Sequence, residues 1–496
     1  MLKLRVVKTG SSAHAVQAVR YEDNRRHIVK HFGSCKTEKE LDDLLENAQE
    51  WIRVNSGQIA MFDTRPSSSI SDLDNYSFLG VYYTFIYEVF TSLLNQISFL
   101  KLNQPLLIDL VIMRLLEPAS KLQSIELIES YFGIRHLRKN YYKIAPVWLH
   151  LKESVESTVI TFAKQHYEFN YDILFYDVTT LYFETFQEDE LRRNGFSKDN
   201  KSQQPQLVVA LMVSKEGFPI AYEIFPGNTF EGHTIIPVIN SFIDKHQVKH
   251  FTVVADAAMI SAVNINELLK NNVHYIVGAR LGNLSIDIIN LIDKEIFRED
   301  GRSIRLKTEN GYLICSYSTV RYRKDKYEME KQIEKAKLII EKPSKKRKIK
   351  FTQTKDERTT LNQALIDKTT KLLGIKGYYT DLEENIASNQ QVIERYHELY
   401  KIEQAFRISK SDLKTRPIFH FKQEPIKLHM LICFMALVIS KHIELKTQTS
   451  IKRFLSEFKK ITDARMLNNF NGKEKRIRAK INPEIIQLLE KLNVPH

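Results

Sequence analysis

Cysteine is scarce in this 496-residue chain. Cys35, Cys315 and Cys433 are the whole supply, and they lie far apart with no CxxC pair. That spacing excludes a disulfide framework and a zinc ribbon, and it suits a reducing compartment. A long apolar run is also missing. The start, MLKLRVVKTGSSAHAVQAVRY, has no continuous apolar signal core, and LHMLICFMALVIS, from Leu428 to Ser440, falls short of the roughly 20 residues of a bilayer span. The expectation is a cytoplasmic protein with no membrane partner. Repeats and long low-complexity tracts are absent too. Acidic residues are outnumbered, 60 against 73 Lys plus Arg, for a net charge of +13. A surplus of that sign suits a polyanion such as nucleic acid. A chain of this length is expected to hold roughly two to four domains.

Residues 1–60 read as a small N-terminal α+β module: short strands (LRVVKT, HAVQAVRY, RRHIVKHFG), then a charged helix capped by Thr37 with Glu40 three residues on. Residues 61–168 read as helical. Within them LLIDLVIMRLLEPASKLQSIELIESYFG gives two helices, the first stopping at Pro118, the second opening at a Ser120/Gln123 capping box and closing at Gly133. The pair could be a helix-turn-helix, but Glu126 and Glu129 make the second helix acidic and favour ordinary packing. The basic, aromatic IRHLRKNYYK after it is the better phosphate-contact candidate. Residues 169–281 switch to strands alternating with helices. Residues 282–375 break that rhythm and read as an insertion carrying KPSKKRKIK, six basic residues among nine, which suits a solvated loop or a DNA contact equally. Residues 376–445 resume the sheet domain, and 446–496 form a basic helical C-terminal region.

Three acids stand out. Asp177 sits inside FNYDILFYDVTTLYFET, a run whose β-branched and aromatic residues fill both alternating sets of a strand. An ionised carboxylate there is expensive unless something offsets it. Asp256 ends the strand FTVVAD, where carboxyl ends of strands open onto a site crevice. Glu403, in YKIEQAF, is expected on the core-facing stripe of one long helix with Val392, Tyr396, Leu399, Phe406 and Lys410, behind a Ser388/Gln391 capping box. Three carboxylates at one sheet edge repel one another, so they imply a hard divalent cation with oxygen ligands, Mg²⁺ or Mn²⁺. No His/Cys cluster supports zinc, and His233 and His274 read as ordinary polar residues.

FYDVTTLYFE, VVADAAMIS and YHELYKIEQAFRISK resemble the three signature blocks of DDE transposases from bacterial insertion sequences, the broad insertion-sequence-four group, and GFPIAYEIFPGNTFEGHT resembles that group's second and third strands. The resemblance covers roughly residues 170–440. Its tyrosine/arginine/glutamate/lysine signature finds Tyr396 seven residues before Glu403 and Lys410 seven after, but Leu399 at the arginine's place. Arg407 and Arg395 are candidates for the missing cation. Asp177 and Asp256 are 79 residues apart, Asp256 and Glu403 147, and the excess matches the insertion in this group's core.

The resemblance implies a ribonuclease-H-like mixed sheet flanked by helices and interrupted by an inserted subdomain. It implies two Mg²⁺ or Mn²⁺ ions on Asp177, Asp256 and Glu403, with Tyr396, Lys410 and Arg407 on DNA phosphates. The partners implied are double-stranded DNA, as element ends and as target, and a second copy of the chain in a homodimeric DNA complex on the nucleoid. Residues 61–168 would bind the element ends. The activity implied is cleavage at the terminal inverted repeats and joining of the freed 3′-hydroxyls to target DNA, often through hairpin ends. Two other readings share the fold. A transposase-derived DNA-binding regulator would be marked by loss of an acid, and a structure-selective nuclease would not need the Tyr396 and Lys410 pattern.

Overall fold

A computed structural model describes residues 2–10, 13–22, 25–55, 76–196, 203–259, 261–309, 311–341, 349–355, 358–469 and 471–495. Most of the basic run 342–350 lies outside the described residues, and with it the DNA contact considered there. The chain divides into two compact units: Met1–Ser77 with Leu467–Lys473, and Phe78–Met466 with Glu474–His496.

The first unit is an antiparallel meander of β1 (Leu2–Lys8), β2 (His14–Glu22) and β3 (Arg25–Cys35), followed by the helix Glu38–Asn55. Irregular pairing of β2 with β3 after Val16 and after Ala18 shifts the side-chain alternation. Ala15, Val16, Ala18 and Val19 are therefore all buried, where strict alternation would hide every second residue. Glu40 N–H donates to Thr37 Oγ1 at 3.4 Å, as the cap requires.

The second unit is built on an eight-stranded sheet. Its strands enter after β4 (Tyr76–Tyr82): β5 (Ile173–Tyr182), β6 (Gln206–Val213), β7 (Pro219–Pro226), β8 (Phe251–Ala255), β9 (Val273–Ala279), β10 (Ser303–Thr308), β11 (Gly311–Tyr317) and, after a small hairpin of β12 (Thr352–Lys355) and β13 (Arg358–Leu361), β14 (Ile375–Thr380). The order is β10-β11-β14-β9-β8-β5-β6-β7. β15 (Asp463–Asn468) and β16 (Glu474–Arg478) complete a three-stranded sheet in the order β16-β15-β4.

Three strands meander antiparallel, β5 to β6 to β7, and two return parallel beside β5 through the helices Ile235–His246 and Ala262–Lys270. That is the ribonuclease-H-like arrangement: a mixed sheet flanked by helices. The β6–β7 turn uses Gly217 at φ +83°, a left-handed conformation that favours glycine. Within residues 282–375, β10 and β11 extend the same sheet past β14. Ile292, Ile296, Leu313, Cys315, Tyr317 and Ile375 form a small core of their own there.

The helix Gln423–Thr447 carries the centre of the unit. By length and composition it could cross a bilayer, with a mean hydropathy of 1.6 over its most apolar window, but 94% of that window is buried inside the protein. It packs against β7 and against the helix Pro105–Leu116, which is buried at every position from Leu106 to Leu116. The helix pair expected from the sequence is present. Its first member is core, and the second, Lys121–Phe132, turns Leu122, Gln123, Glu126 and Glu129 to solvent. Ser120 Oγ accepts from Gln123 N–H at 3.3 Å, and Gly133 closes the helix at φ +72°.

One buried ion triad ties the helix Trp148–His166 to β7. Lys152 Nζ lies 2.9 Å from Glu156 Oε1 and 3.1 Å from Glu223 Oε2, with its side chain 2% exposed. Burial alone would push the Lys152 pKa down, but the two carboxylates reverse that and hold it above the ordinary lysine value. Lys152→Ala strands those carboxylates and is expected to destabilise the protein by about 3–5 kcal/mol. A urea unfolding curve with an unchanged midpoint would contradict this.

Candidate active site

The pairing of β5 with β8 places the first two acids. Tyr176 lies opposite Ala255 in parallel register, so Asp177, still within β5, comes next to Asp256, the first residue past β8. Asp177 is half-buried, and Val178 N–H donates to its Oδ1 at 2.7 Å. The desolvation feared for a carboxylate inside a strand is therefore partial. β8 ends at Ala255, and Asp256 opens a short turn in which its carbonyl accepts from Met259 N–H at 3.0 Å. Its exposed carboxylate accepts on Oδ1 from Ala257 N–H at 2.7 Å and from the Tyr396 hydroxyl at 3.2 Å, and no described residue donates to Oδ2.

Tyr396 reaches Asp256 because β9 has a glycine in its path. A Cβ on Gly278 would stand 2.5 Å from Tyr396 Oη and 3.1 Å from its Cζ. Burial first, then the Asp256 carboxylate, pushes the Tyr396 pKa well above that of an ordinary phenol, so the hydroxyl keeps its proton and donates.

The helix bearing Tyr396 and Glu403 is not continuous. Asn389–His397 starts at the Ser388/Gln391 capping box, Tyr400–Arg407 follows, and Ile408–Asp412 is a π-turn. Between them Leu399 N–H bonds to Tyr396 O, Lys401 N–H to Glu398 O and Ile402 N–H to Leu399 O, all three residues back. Such tightening takes three residues per turn instead of 3.6 and rotates everything beyond it. Val392, Tyr396 and Leu399 remain buried, but Ile402, Ala405 and Ile408 form the buried face of the second segment and Glu403 is exposed. The expected core-facing position of Glu403 is corrected accordingly. Tyr400–Arg407 packs on β5 and β6, the strands around Asp177.

A lysine sits among these acids. Lys376 on β14 is half-buried, with Nζ 4.6 Å from the Tyr396 ring centre and 5.6 Å from that of Tyr378. Burial and Arg321 lower its pKa, and the carboxylates of Asp256 and Glu403 oppose them. The same two carboxylates act on Tyr396. Among the described residues no group of three or more His, Cys, Asp or Glu side chains is close enough to cage an ion. Asp256 Oδ2 receives no hydrogen bond from a described residue, and an undonated carboxylate oxygen is the kind of donor that a hard divalent cation takes.

The family described as Transposase DDE domain matches residues 168–439, more than half of the chain. The chain belongs to that family. It is also similar to a piggyBac transposase in a synaptic complex with hairpin DNA, at 11% identity and a TM-score of 0.36, covering 70% of this chain and 68% of that one. No curated protein matches.

Asp177, Asp256 and Glu403 all lie inside the transposase domain match, but the cations expected to accompany them divide. Arg407 is exposed on the Glu403 segment, and Lys410 is half-buried in the π-turn. Arg395 lies at the other end of the sheet, lining a cleft of about 530 Å³ with Asp172, His250 and His274 at the amino ends of β5, β8 and β9. His274 is held there by Asp381, Nδ1 to Oδ2 2.6 Å. Lys376 is the cation that sequence reasoning missed, because only the pairing of β14 with β9 brings it to the acids. Gly278 did leave a signal, since a glycine inside a strand marks a close approach.

The turn Glu231–His233 is docked here as well. The Tyr176 hydroxyl donates to Thr234 Oγ1 at 2.7 Å, and Asn264 Nδ2 donates to both Gly232 O and Met259 O, tying this turn to the Asp256 turn. Tyr396→Phe, which removes one donor to an exposed carboxylate, is expected to lower stability by about 1 kcal/mol. Gly278→Ala drives a methyl into the Tyr396 ring and should lower it by about 1–3 kcal/mol. Denaturant titration that ranks the two in reverse would count against this packing.

Proposed function

We propose that this member of the DDE family is the transposase of a bacterial insertion sequence of the insertion-sequence-four group, acting in the cytoplasm on nucleoid DNA. It binds the terminal inverted repeats of its element through residues 61–168, cuts the ends and joins them to target DNA. The observation that carries this reading is the register that sets Asp177 of β5 beside Asp256, just past the carboxyl end of β8, in a ribonuclease-H-like sheet. The charge of +13 supports a DNA partner. A regulator that had abandoned cutting would have no use for both acids and Glu403 together.

Asp177, Asp256 and Glu403 would hold Mg²⁺ or Mn²⁺, as a pair of ions that activates a water or a 3′-hydroxyl and stabilises the departing 3′-oxygen. The chain's own residues do the rest. Tyr396 holds one oxygen of Asp256 and so aims the other. Lys376, already among the acids, supplies positive charge where the signature arginine is replaced by Leu399. Arg407 and Lys410 follow Glu403 and meet phosphates flanking the cut. Two chains pair on two ends, because joining both ends to one target needs two sites held in register.

Asp177→Ala, Asp256→Ala and Glu403→Ala are each expected to drop Mg²⁺-dependent cleavage of a labelled element end to background while duplex binding survives, since ligation and phosphate neutralisation use different residues. Wild-type cutting by any one of them would remove that acid from the site. Lys376→Met should slow cleavage by about 100-fold, the scale of one lost charge-stabilising donor. Glu403→Ala chains mixed with wild type should poison paired-end cleavage, and undiminished activity in that mixture would argue for a monomeric enzyme.

A further inference from the structure

A second concentration of charge lies away from the acids. A pocket of about 280 Å³ is lined by Arg114, Lys121, Lys414, Arg416, His420 and His429, with no carboxylate in its lining. Arg114 is 4% exposed and Lys121 8%. The Arg114 guanidinium donates only to main-chain carbonyls: Ala119 O at 2.8 Å, Leu413 O at 3.4 Å and Lys414 O at 3.5 Å. Those bonds join the two loops that wall the pocket, but carbonyls do not neutralise a charge. Lys121 Nζ has His429 Nδ1 at 3.0 Å as its partner, and His429 Nε2–H donates to Thr415 O at 3.1 Å, which leaves that ring neutral. Among the described residues neither cation forms an ion pair with Asp or Glu.

Two buried cations without a counter-charge are costly. Their surroundings register it: burial and then Arg114 push the Lys121 pKa well down, and burial with Lys121 and Arg114 takes His420 down to about 3. The 12-residue helix Lys121–Phe132 opens on the same pocket, adding the positive end of its dipole. Phe419 is exposed on the lining, so the pocket is open at that side.

Residues of the pocket's wall also reach the carboxyl end of β5, the strand that carries Asp177. Arg416 stands over the Tyr182 ring at 5.4 Å, and Phe183 bridges to Ile418, both at the carboxyl end of β5. Tyr182 is five residues past Asp177, about 17 Å at roughly 3.3 Å per residue. That distance matches about five base pairs of duplex at roughly 3.4 Å each.

We propose that the Arg114/Lys121 pocket binds one backbone phosphate of the DNA whose neighbouring segment reaches Asp177 and Asp256. A phosphate supplies the counter-charge that Arg114 and Lys121 lack and so favours the protonated form of Lys121, and none of the lining residues would repel one. The assignment rests on the transposase reading above.

The test uses the full chain and a fluorescein-labelled duplex, with anisotropy titrations over a range of KCl. Lys121→Met is expected to make the slope of log K against log [KCl] shallower by about 0.9, the share of one phosphate contact. Lys294→Met, an exposed lysine on another helix, is the control and should lower it by less. An unchanged slope for Lys121→Met, with wild type still binding, overturns the pocket alone; failure of wild type to bind duplex overturns the transposase reading with it. Should Lys121→Met not fold by circular dichroism, Lys414→Met on the exposed rim takes its place: a shallower slope supports the pocket and an unchanged one overturns it. Inorganic phosphate at constant ionic strength supplies the other arm. If it raises the melting temperature of wild type but not of Lys121→Met while the DNA slope stays unchanged, the pocket takes free phosphate and the DNA assignment falls.

Discussion

Parallel pairing of β5 with β8 is the constraint from which the rest of this molecule follows. With Tyr176 opposite Ala255, two aspartates 79 positions apart in the chain become neighbours on adjacent strands, Asp177 within β5 and Asp256 just past β8. A slip of one residue would send Asp177 to the opposite face of the sheet, because side chains alternate with period two. Burial anchors the pairing: all five residues of β8 and all eight of β6 are buried.

Placing like charges together raises the question of what holds them. Part of the answer lies in the backbone, where the N–H groups of Val178 and Ala257 donate to the carboxylates beside them. Part lies in Tyr396, whose raised pKa keeps it a donor, and part in Lys376, which brings a cation on a strand from the far side of β9. The acidic end is thus balanced by groups drawn from the helix and from the strand that follows the long excursion after β9. The Arg114/Lys121 pocket presents the opposite case, cations held by neutral partners, and the two lie toward the same end of β5.

Much of this was legible in the primary structure, for local reasons. Strands β5 to β9 announce themselves by β-branched and aromatic runs, the Ser388/Gln391 cap marks the Glu403 segment, and Gly217 marks the β6–β7 turn. The acids Asp177 and Asp256 are conspicuous because a carboxylate within or at the end of an apolar strand needs a reason. Periodicity failed at Glu403. The seven-residue spacings from Tyr396 to Glu403 to Lys410 assume one unbroken helix, and the run of three-residue bonds at Leu399 to Ile402 changes the phase between them.

The sequence by itself determined the sheet domain with its flanking helices and the family, since these rest on patterns written within a few residues of one another, but not the strands β15 and β16 in the C-terminal region read as helical. It also determined the positive balance that suits a polyanion. Tertiary structure alone decided which cations meet the acids. Arg395, one residue from Tyr396, lies at the opposite end of the sheet, whereas Lys376 stands beside it. It alone decided that Lys121 and Arg114 share a pocket with residues 414–429. The physical reason is the same in both cases: strand pairing and helix packing set proximity across hundreds of residues, and no local propensity encodes those distances.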